Sequence, residues 1–284
     1  MTRFAYVNGR YLPHAEALVH VEDRGYQFAD GVYEVIAVHR GRFVDELPHL
    51  ERLDRSLLEL KIGWPMTPPA LKHVMRELVR RNHLREGSIY VQVTRGVAPR
   101  EHAFPKSRIA PGLVMTTRRA KSIPSAALKD GVAVITIPDI RWGRCDIKSV
   151  GLLANVLGKQ AAFEAGAYEA WQVSAAGMVT EGTSTNAWIV TREGRVVTHP
   201  PGPQILSGVT RLTVLRLAAE SQIAVEERPF TLAELRSAQE AFLTSTSSHV
   251  LPVTRIDGEP VGDGRPGRIA RRLRELYLAE LDRA

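Results

Sequence analysis

Lys148 closes the run Arg141-Trp142-Gly143-Arg144-Cys145-Asp146-Ile147-Lys148, between a β-like stretch (Val132 to Ile137) and a helical one (Gly151 to Ala165). An amine placed where a strand hands over to a helix can attack a carbonyl and can carry a proton. Arginine can do neither, having no usable neutral form. Only seven of the 38 Lys and Arg residues are Lys, so a lysine kept at this junction is a candidate for chemistry rather than for charge alone. Glu181-Gly182-Thr183-Ser184-Thr185-Asn186 sets a carboxylate and three hydroxyls in front of an apolar strand. Ile205-Leu206-Ser207-Gly208-Val209-Thr210-Arg211 opens a helix with Gly and Thr, where free backbone N–H groups could face an anion such as phosphate. Ser245-Thr246, after another strand, offers a second hydroxyl and amide contact to such an anion. Arg100-Glu101-His102 lies in a loop bracketed by Pro99 and Pro105; the Arg fork matches a carboxylate, and His two residues along can add a donor. Tyr33 alternates with apolar neighbours and is either a core aromatic or a phenol facing a site. Taken singly, each has a plainer account: a solvated loop lysine, a turn with local side-chain bonds, a helix N-cap.

Two segments must position these groups. In the first 120 residues, Asn8-Gly9 and Arg40-Gly41-Arg42 are hairpin turns between β-like runs. Leu47 to Lys61 and Pro69 to Arg81 carry apolar residues at helical spacing, and β character resumes at Ser88 to Thr94 and Gly112 to Thr117. That pattern predicts an antiparallel sheet covered by helices. The polar stretch Arg118 to Pro124 is the candidate linker. Beyond it come Val132 to Ile137, the Lys148 loop, a helix to Ala165, Ala170 to Val173 and a turn at Ala175-Ala176-Gly177. Strands at Thr185 to Thr191 and Val196-Val197 follow, then a helix from near Val209 to about Ser221, a strand at Ala241 to Thr244 and a terminal helix.

At 284 residues with 44% apolar composition the chain is long enough for two compact domains. Its start has no apolar leader and no later stretch is as long as a membrane span, which predicts a soluble, cytoplasmic protein. A single cysteine, Cys145, excludes an intrachain disulfide and a multi-cysteine metal site; no metal is expected. The net charge of +7 is spread among acidic residues except in the tail, where Arg265, Arg268, Arg271, Arg272 and Arg274 alternate with Leu273, Leu276, Tyr277 and Leu281. This reads as an amphipathic terminal helix with its charged face in water, not as a nucleic-acid surface.

Taken in order, Asp23-Arg24-Gly25-Tyr26-Gln27-Phe28-Ala29-Asp30-Gly31-Val32-Tyr33-Glu34, Val93-Thr94-Arg95-Gly96, Pro99-Arg100-Glu101-His102, Arg144-Cys145-Asp146-Ile147-Lys148-Ser149, Thr180-Glu181-Gly182 and Thr244-Ser245-Thr246 closely resemble bacterial D-amino-acid (D-alanine) aminotransferases. These are fold-type IV pyridoxal-phosphate enzymes. The resemblance implies a mixed α/β, two-domain fold: a small N-terminal domain over 1–120, a larger C-terminal domain over 121–284 carrying the Schiff-base Lys148, and the active site between them. It implies that Lys148 holds pyridoxal 5'-phosphate and moves the substrate proton, and that Glu181 lies against the pyridine nitrogen. Arg52, Val209, Thr210 and Thr246 would hold the phosphate, Leu206 would support the ring, and Ser184 and Ser245 complete the cofactor set. Tyr33, Arg100 and His102 would trap the substrate carboxylate, the loop coming from the neighbouring subunit of a homodimer. The implied reaction is transamination between a D-amino acid and a 2-oxo acid such as 2-oxoglutarate or pyruvate. Other readings are a branched-chain or (R)-amine aminotransferase, an aminodeoxychorismate lyase, or a non-catalytic anion-binding protein. Two departures from the family pattern stand out: Gly143, where a bulkier residue is expected, and His249, where an acidic one is.

Overall fold

A computed structural model describes residues 3–283. Met1, Thr2 and Ala284, which the expected domain bounds include, lie outside the described residues. The chain divides into two compact units: Met1–Lys121 with Ile147–Gly151, and Ser122–Asp146 with Leu152–Ala284. The first break falls one residue beyond the expected boundary. The difference is the short segment around Lys148, which joins the first unit rather than the C-terminal one, because its backbone pairs with a first-unit strand.

The first unit runs β1 (Phe4–Val7), β2 (Arg10–Pro13), α1 (Arg24–Phe28), β3 (Gly31–His39), β4 (Arg42–Phe43), α2 (Glu46–Glu59), α3 (Pro68–Arg81), β5 (Gly87–Thr94) and β6 (Gly112–Arg119). Its six strands pair antiparallel in the order β2-β1-β6-β5-β3-β4. Asn8 and Gly9 take positive φ at the first hairpin, as their sequence requires. Helices α2 and α3 bury Leu50, Leu53 and Leu57, and Leu71, Met75 and Leu78, on the sheet face carrying Val32, Ile36, Ile89, Val91 and Met115. Each such side chain contributes about 1.5–3 kcal/mol by leaving water. Ile147 belongs to this core, which seats the residue before Lys148.

The second unit runs α4 (Ser125–Asp130), β7 (Val132–Pro138), α5 (Leu153–Glu164), β8 (Glu169–Val173), β9 (Met178–Gly182), β10 (Asn186–Val190), β11 (Val196–Thr198), α6 (Val209–Glu220), β12 (Val225–Glu227), β13 (Phe230–Thr231), α7 (Leu232–Ser237), β14 (Glu240–Ser245), β15 (His249–Ile256), β16 (Glu259–Pro260) and α8 (Arg268–Arg283). Its ten-stranded sheet is mixed, ordered β12-β11-β10-β14-β15-β7-β8-β9-β13 with β16 paired to β15. β7 runs parallel to both β8 and β15, while β10 and β14 are antiparallel. Trp171, Phe230, Leu243 and Leu251 sit in its core. Helix α8 buries Ala270, Leu273, Tyr277 and Leu281 and exposes Arg268, Arg271 and Arg272. Arg274 departs from the expected solvated face, donating to the carbonyls of Ser248 and Val250 at 3.0 and 2.6 Å. Among the described residues no helix is long and apolar enough to cross a membrane.

Candidate active site

In the first unit, Lys148 is fixed by its backbone. The Tyr33 N–H donates to the Lys148 carbonyl (2.9 Å), and the Val150 N–H donates to the Gly31 carbonyl (3.0 Å), so residues 148–150 extend the edge of β3. The amine lies 4.3 Å from the centre of the Tyr33 ring and has no carboxylate partner among the described residues. Tyr33 is half-buried and stacks on Tyr90, with ring centroids 5.4 Å apart. The ring is outside the first unit's buried core cluster and lies against the amine.

Strand alternation turns Glu34 to the opposite face of β3, where it is fully buried. Arg52 on α2 grips it in a fork, Nε–H to Oε1 at 2.7 Å and Nη2–H to Oε2 at 2.8 Å, and His49 lies 2.8 Å from Oε2. Burial alone would raise the Glu34 carboxyl, but Arg52 and His49 outweigh it and bring it down to about 2. His49 is held below the ordinary imidazole value by burial, reinforced by the Arg52 and Lys148 charges and opposed by Glu34. The guanidinium expected to meet a phosphate is thus fixed in plane by a permanent anion.

In the second unit, Glu181 lies on β9 and not in a turn. Its carboxylate pairs with Arg141, accepts the Leu206 N–H at 3.1 Å on both oxygens and the Asn186 amide at 3.0 Å. Leu206 therefore contributes its backbone N–H here, whatever its side chain does. Gly208 is required next to this point: a Cβ there would stand 2.1 Å from the Asn186 side-chain oxygen. Gly208 is the N-cap of α6, and Val209 and Thr210 form its first turn, where backbone N–H groups have no partner within the helix. The Thr210 and Thr246 side chains make no hydrogen bond among the described residues. Ser245 differs from the expectation, because its hydroxyl is engaged in its own turn, 2.6 Å from the Ser248 hydroxyl and accepting the Ser248 N–H at 3.1 Å. The Ser184 hydroxyl is also committed, donating to the buried Glu169 at 2.8 Å.

Arg100 and His102 lie on an exposed loop of the first unit, both against Phe28: the Arg100 guanidinium 5.1 Å from the ring and the His102 ring edge-on at 5.5 Å. Gly143 has open space around its missing side chain, and His249 stacks on Tyr277 of α8 at 5.2 Å, a packing role. Cys145 is half-buried, with burial pushing its thiol up to about 11, which leaves it unreactive. Sequence reasoning missed the roles of Glu34, His49, Asp139, Arg141 and Glu169. A carboxylate inside the apolar strand Val32 to His39 was the one local signal for Glu34.

Each unit carries groups of the kind a phosphorylated carbonyl cofactor needs: the first an amine with no acid partner among the described residues, the second a carboxylate bonded by Arg141, Asn186 and the Leu206 N–H, and a helix N-terminus whose first turn carries a Thr210 hydroxyl with no hydrogen bond among the described residues. A family model described as amino-transferase class IV matches residues 31–256. The chain is 41% identical over 272 residues to a D-alanine aminotransferase of Staphylococcus haemolyticus, covering 96% of this chain and 95% of that one. It is 43% identical over 264 residues to a D-alanine aminotransferase of Bacillus licheniformis, covering 93% and 92%. Among solved structures it resembles a branched-chain amino acid aminotransferase from Thermobaculum terrenum in its PLP form, with a TM-score of 0.85 and 25% identity, covering 99% of this chain and 94% of that one.

Proposed function

Because the chain belongs to the amino-transferase class IV family, we propose that it transfers an amino group from a D-amino acid such as D-alanine to a 2-oxo acid such as 2-oxoglutarate, with pyridoxal 5'-phosphate as cofactor. The observation that carries this reading is the Lys148 amine, pinned by its backbone over Tyr33 with no carboxylate partner among the described residues. When bound, the cofactor supplies an aldehyde for amines and a ring that accepts the electrons released as the substrate Cα loses its proton. Lys148 would hold the cofactor through its amine, and that amine would serve as the base for the substrate Cα proton. Glu181, held in a fixed direction by Arg141, Asn186 and Leu206, would lie against the pyridine nitrogen. Arg52, the first-turn amides of Val209 and Thr210, and the Thr210 and Thr246 hydroxyls would hold the phosphate. Arg100 and His102 with Tyr33 bind the substrate carboxylate, which fixes which face of Cα is offered to Lys148. The resemblance further supports a cytoplasmic homodimer in which the Arg100 loop of one copy serves the other; a mass of one chain in light scattering rejects that part.

The test is single-turnover spectroscopy of the holoenzyme mixed separately with D-alanine and L-alanine. Conversion of the cofactor band by D-alanine alone is expected. Conversion by L-alanine alone would overturn the stereochemical assignment and favour a branched-chain reading, to which the likeness to the Thermobaculum terrenum enzyme gives its weight. No visible-edge band after reconstitution would overturn the cofactor reading itself.

A further inference from the structure

The loop carrying Arg100 and His102 is exposed from Arg100 through Phe104, yet three of its consecutive carbonyls converge on one buried cation. Arg24 on α1, only 3% exposed, donates through Nη1 to Glu101 O (2.5 Å) and Ala103 O (3.3 Å) and through Nη2 to His102 O (3.3 Å). Its Nε–H is held by Asp30 at 2.8 Å, and its plane lies 4.9 Å from the Phe28 ring that Arg100 and His102 also touch. We propose that Arg24 is a positioning residue for the substrate carboxylate: it sets the backbone from which Arg100 and His102 present their donors.

Three observations support this beyond simple loop packing. First, Arg24 is braced from beneath. Asp30 also binds Arg95 in a fork (2.7 and 3.0 Å), Arg95 reaches the carbonyls of Leu60 and Lys61, and its guanidinium lies 3.6 Å from the ring of Phe104 at the far end of the loop. Main-chain bonds from Arg24 N to Gly96 O (2.9 Å) and Arg95 N to Asp30 O (3.0 Å) close the frame. Second, the chemistry is specific to a guanidinium, since only a planar fork can serve an anion and three carbonyls together. An ammonium reaches fewer. Third, two guanidinium groups share the Asp30 carboxylate, which ties the Arg24 that holds the loop carbonyls to the Arg95 that lies against Phe104. Burial opposes ionisation of Asp30, but Arg95 and Arg24 outweigh it and lower its pKa, so the carboxylate stays charged.

The inference rests on the reading that Arg100 and His102 bind the substrate carboxylate, and the experiment separates the two. Arg24→Met leaves Asp30 paired with Arg95, so the buried acid keeps a partner. In the holoenzyme this variant should raise the KM for D-alanine and for the 2-oxo acid about tenfold, the worth of one charge-assisted contact. Cofactor affinity and kcat per cofactor-loaded site should change less than about threefold. In a chain already carrying R100A and H102A, R24M should add less than about twofold, because Arg24 acts only through the loop. Arg24→Lys keeps the buried charge and should still raise KM; it carries the same comparison if R24M yields no holoenzyme. A fall in kcat with KM unchanged, full rescue by R24K, or an equal effect of R24M with and without the loop substitutions each overturns the proposal. An unchanged KM in R100A/H102A itself overturns the carboxylate reading, which is a different result from a normal R24M enzyme beside an impaired R100A/H102A one.

Discussion

Arg141 and Glu181 form a buried ion pair whose guanidinium is shared with a second acid. Its Nε–H and Nη2–H hold the two oxygens of Asp139 at 3.0 and 2.7 Å, and Nη2 also reaches the Gln204 carbonyl at 3.0 Å. One cation therefore ties β9 to the segment after β7 and to the loop before α6. Burial disfavours charge on Arg141, but Asp139 and Glu181 outweigh it and raise its pKa further, so the cation persists at any working pH. The direction in which Glu181 presents its charge follows from this lattice.

Removing either end of that pair should have unequal effects. Arg141→Met leaves two buried carboxylates uncompensated and should cost about 3–5 kcal/mol of stability. Glu181→Gln leaves Arg141 with Asp139 and should cost less than about 2 kcal/mol. Yet E181Q should lower turnover about 10²-fold, because the charge facing the pyridine nitrogen is lost. Urea denaturation and steady-state rates on the two variants check this; an active, stable R141M would show that the lattice does not set Glu181.

Glu34 gives the protein a specific acid sensitivity. A carboxylate held at about 2 when folded, against 4.5 ordinarily, binds fewer protons folded than unfolded between those values. Its stabilisation is fully present above the higher value and is lost as pH falls toward the lower one, amounting to a few kcal/mol. Glu34→Gln should be less stable near neutral pH and should show a flatter decline on acidification. Parallel slopes for E34Q and the parent in acid denaturant titrations would contradict the assignment.

Much of this was written locally, and what was not has physical causes. Helices α2 and α3 follow from Leu50, Leu53, Leu57 and Leu71, Met75, Leu78, whose spacing puts them on one face each. Strand β9 is hidden because Glu181 to Asn186 reads as a turn, whereas in the fold Thr180 and Glu181 are buried in the strand and bonded by Asp139, Arg141 and Asn186. Strand β15 carries Pro252, which argues against a strand, but the parallel ladder to β7 begins only at Val253. Lys148, Glu181 and the Arg100 loop were legible from ordered motifs. The pairs Glu34–Arg52 and Arg141–Glu181 were not: partners 18 and 40 residues apart leave no spacing signal.

Lys148→Ala should retain the fold, because the carbonyl and amides that pin the segment are backbone groups. It should lose all measurable turnover and the ability to be covalently labelled by borohydride in the presence of cofactor. Partial recovery with an added small amine is expected, since the missing group is an amine and not a scaffold. Full turnover without one would overturn the role.

The hydroxyls around α6 and the β14–β15 turn sort into two kinds, and substitutions should separate them. The Thr210 and Thr246 hydroxyls make no hydrogen bond among the described residues, whereas the Ser245 hydroxyl closes its own turn onto Ser248. Thr246→Val and Thr210→Val should weaken pyridoxal 5'-phosphate binding about fivefold to tenfold each while leaving the affinity for pyridoxal, which lacks the phosphate, unchanged. Ser245→Ala should instead lower thermal stability, by about 0.5–1.5 kcal/mol, and should affect both ligands alike through the loosened turn. Fluorescence titration of the apoenzyme with the two ligands makes the comparison. Equal losses for pyridoxal and its phosphate in T246V would assign Thr246 to the turn and remove it from the phosphate site.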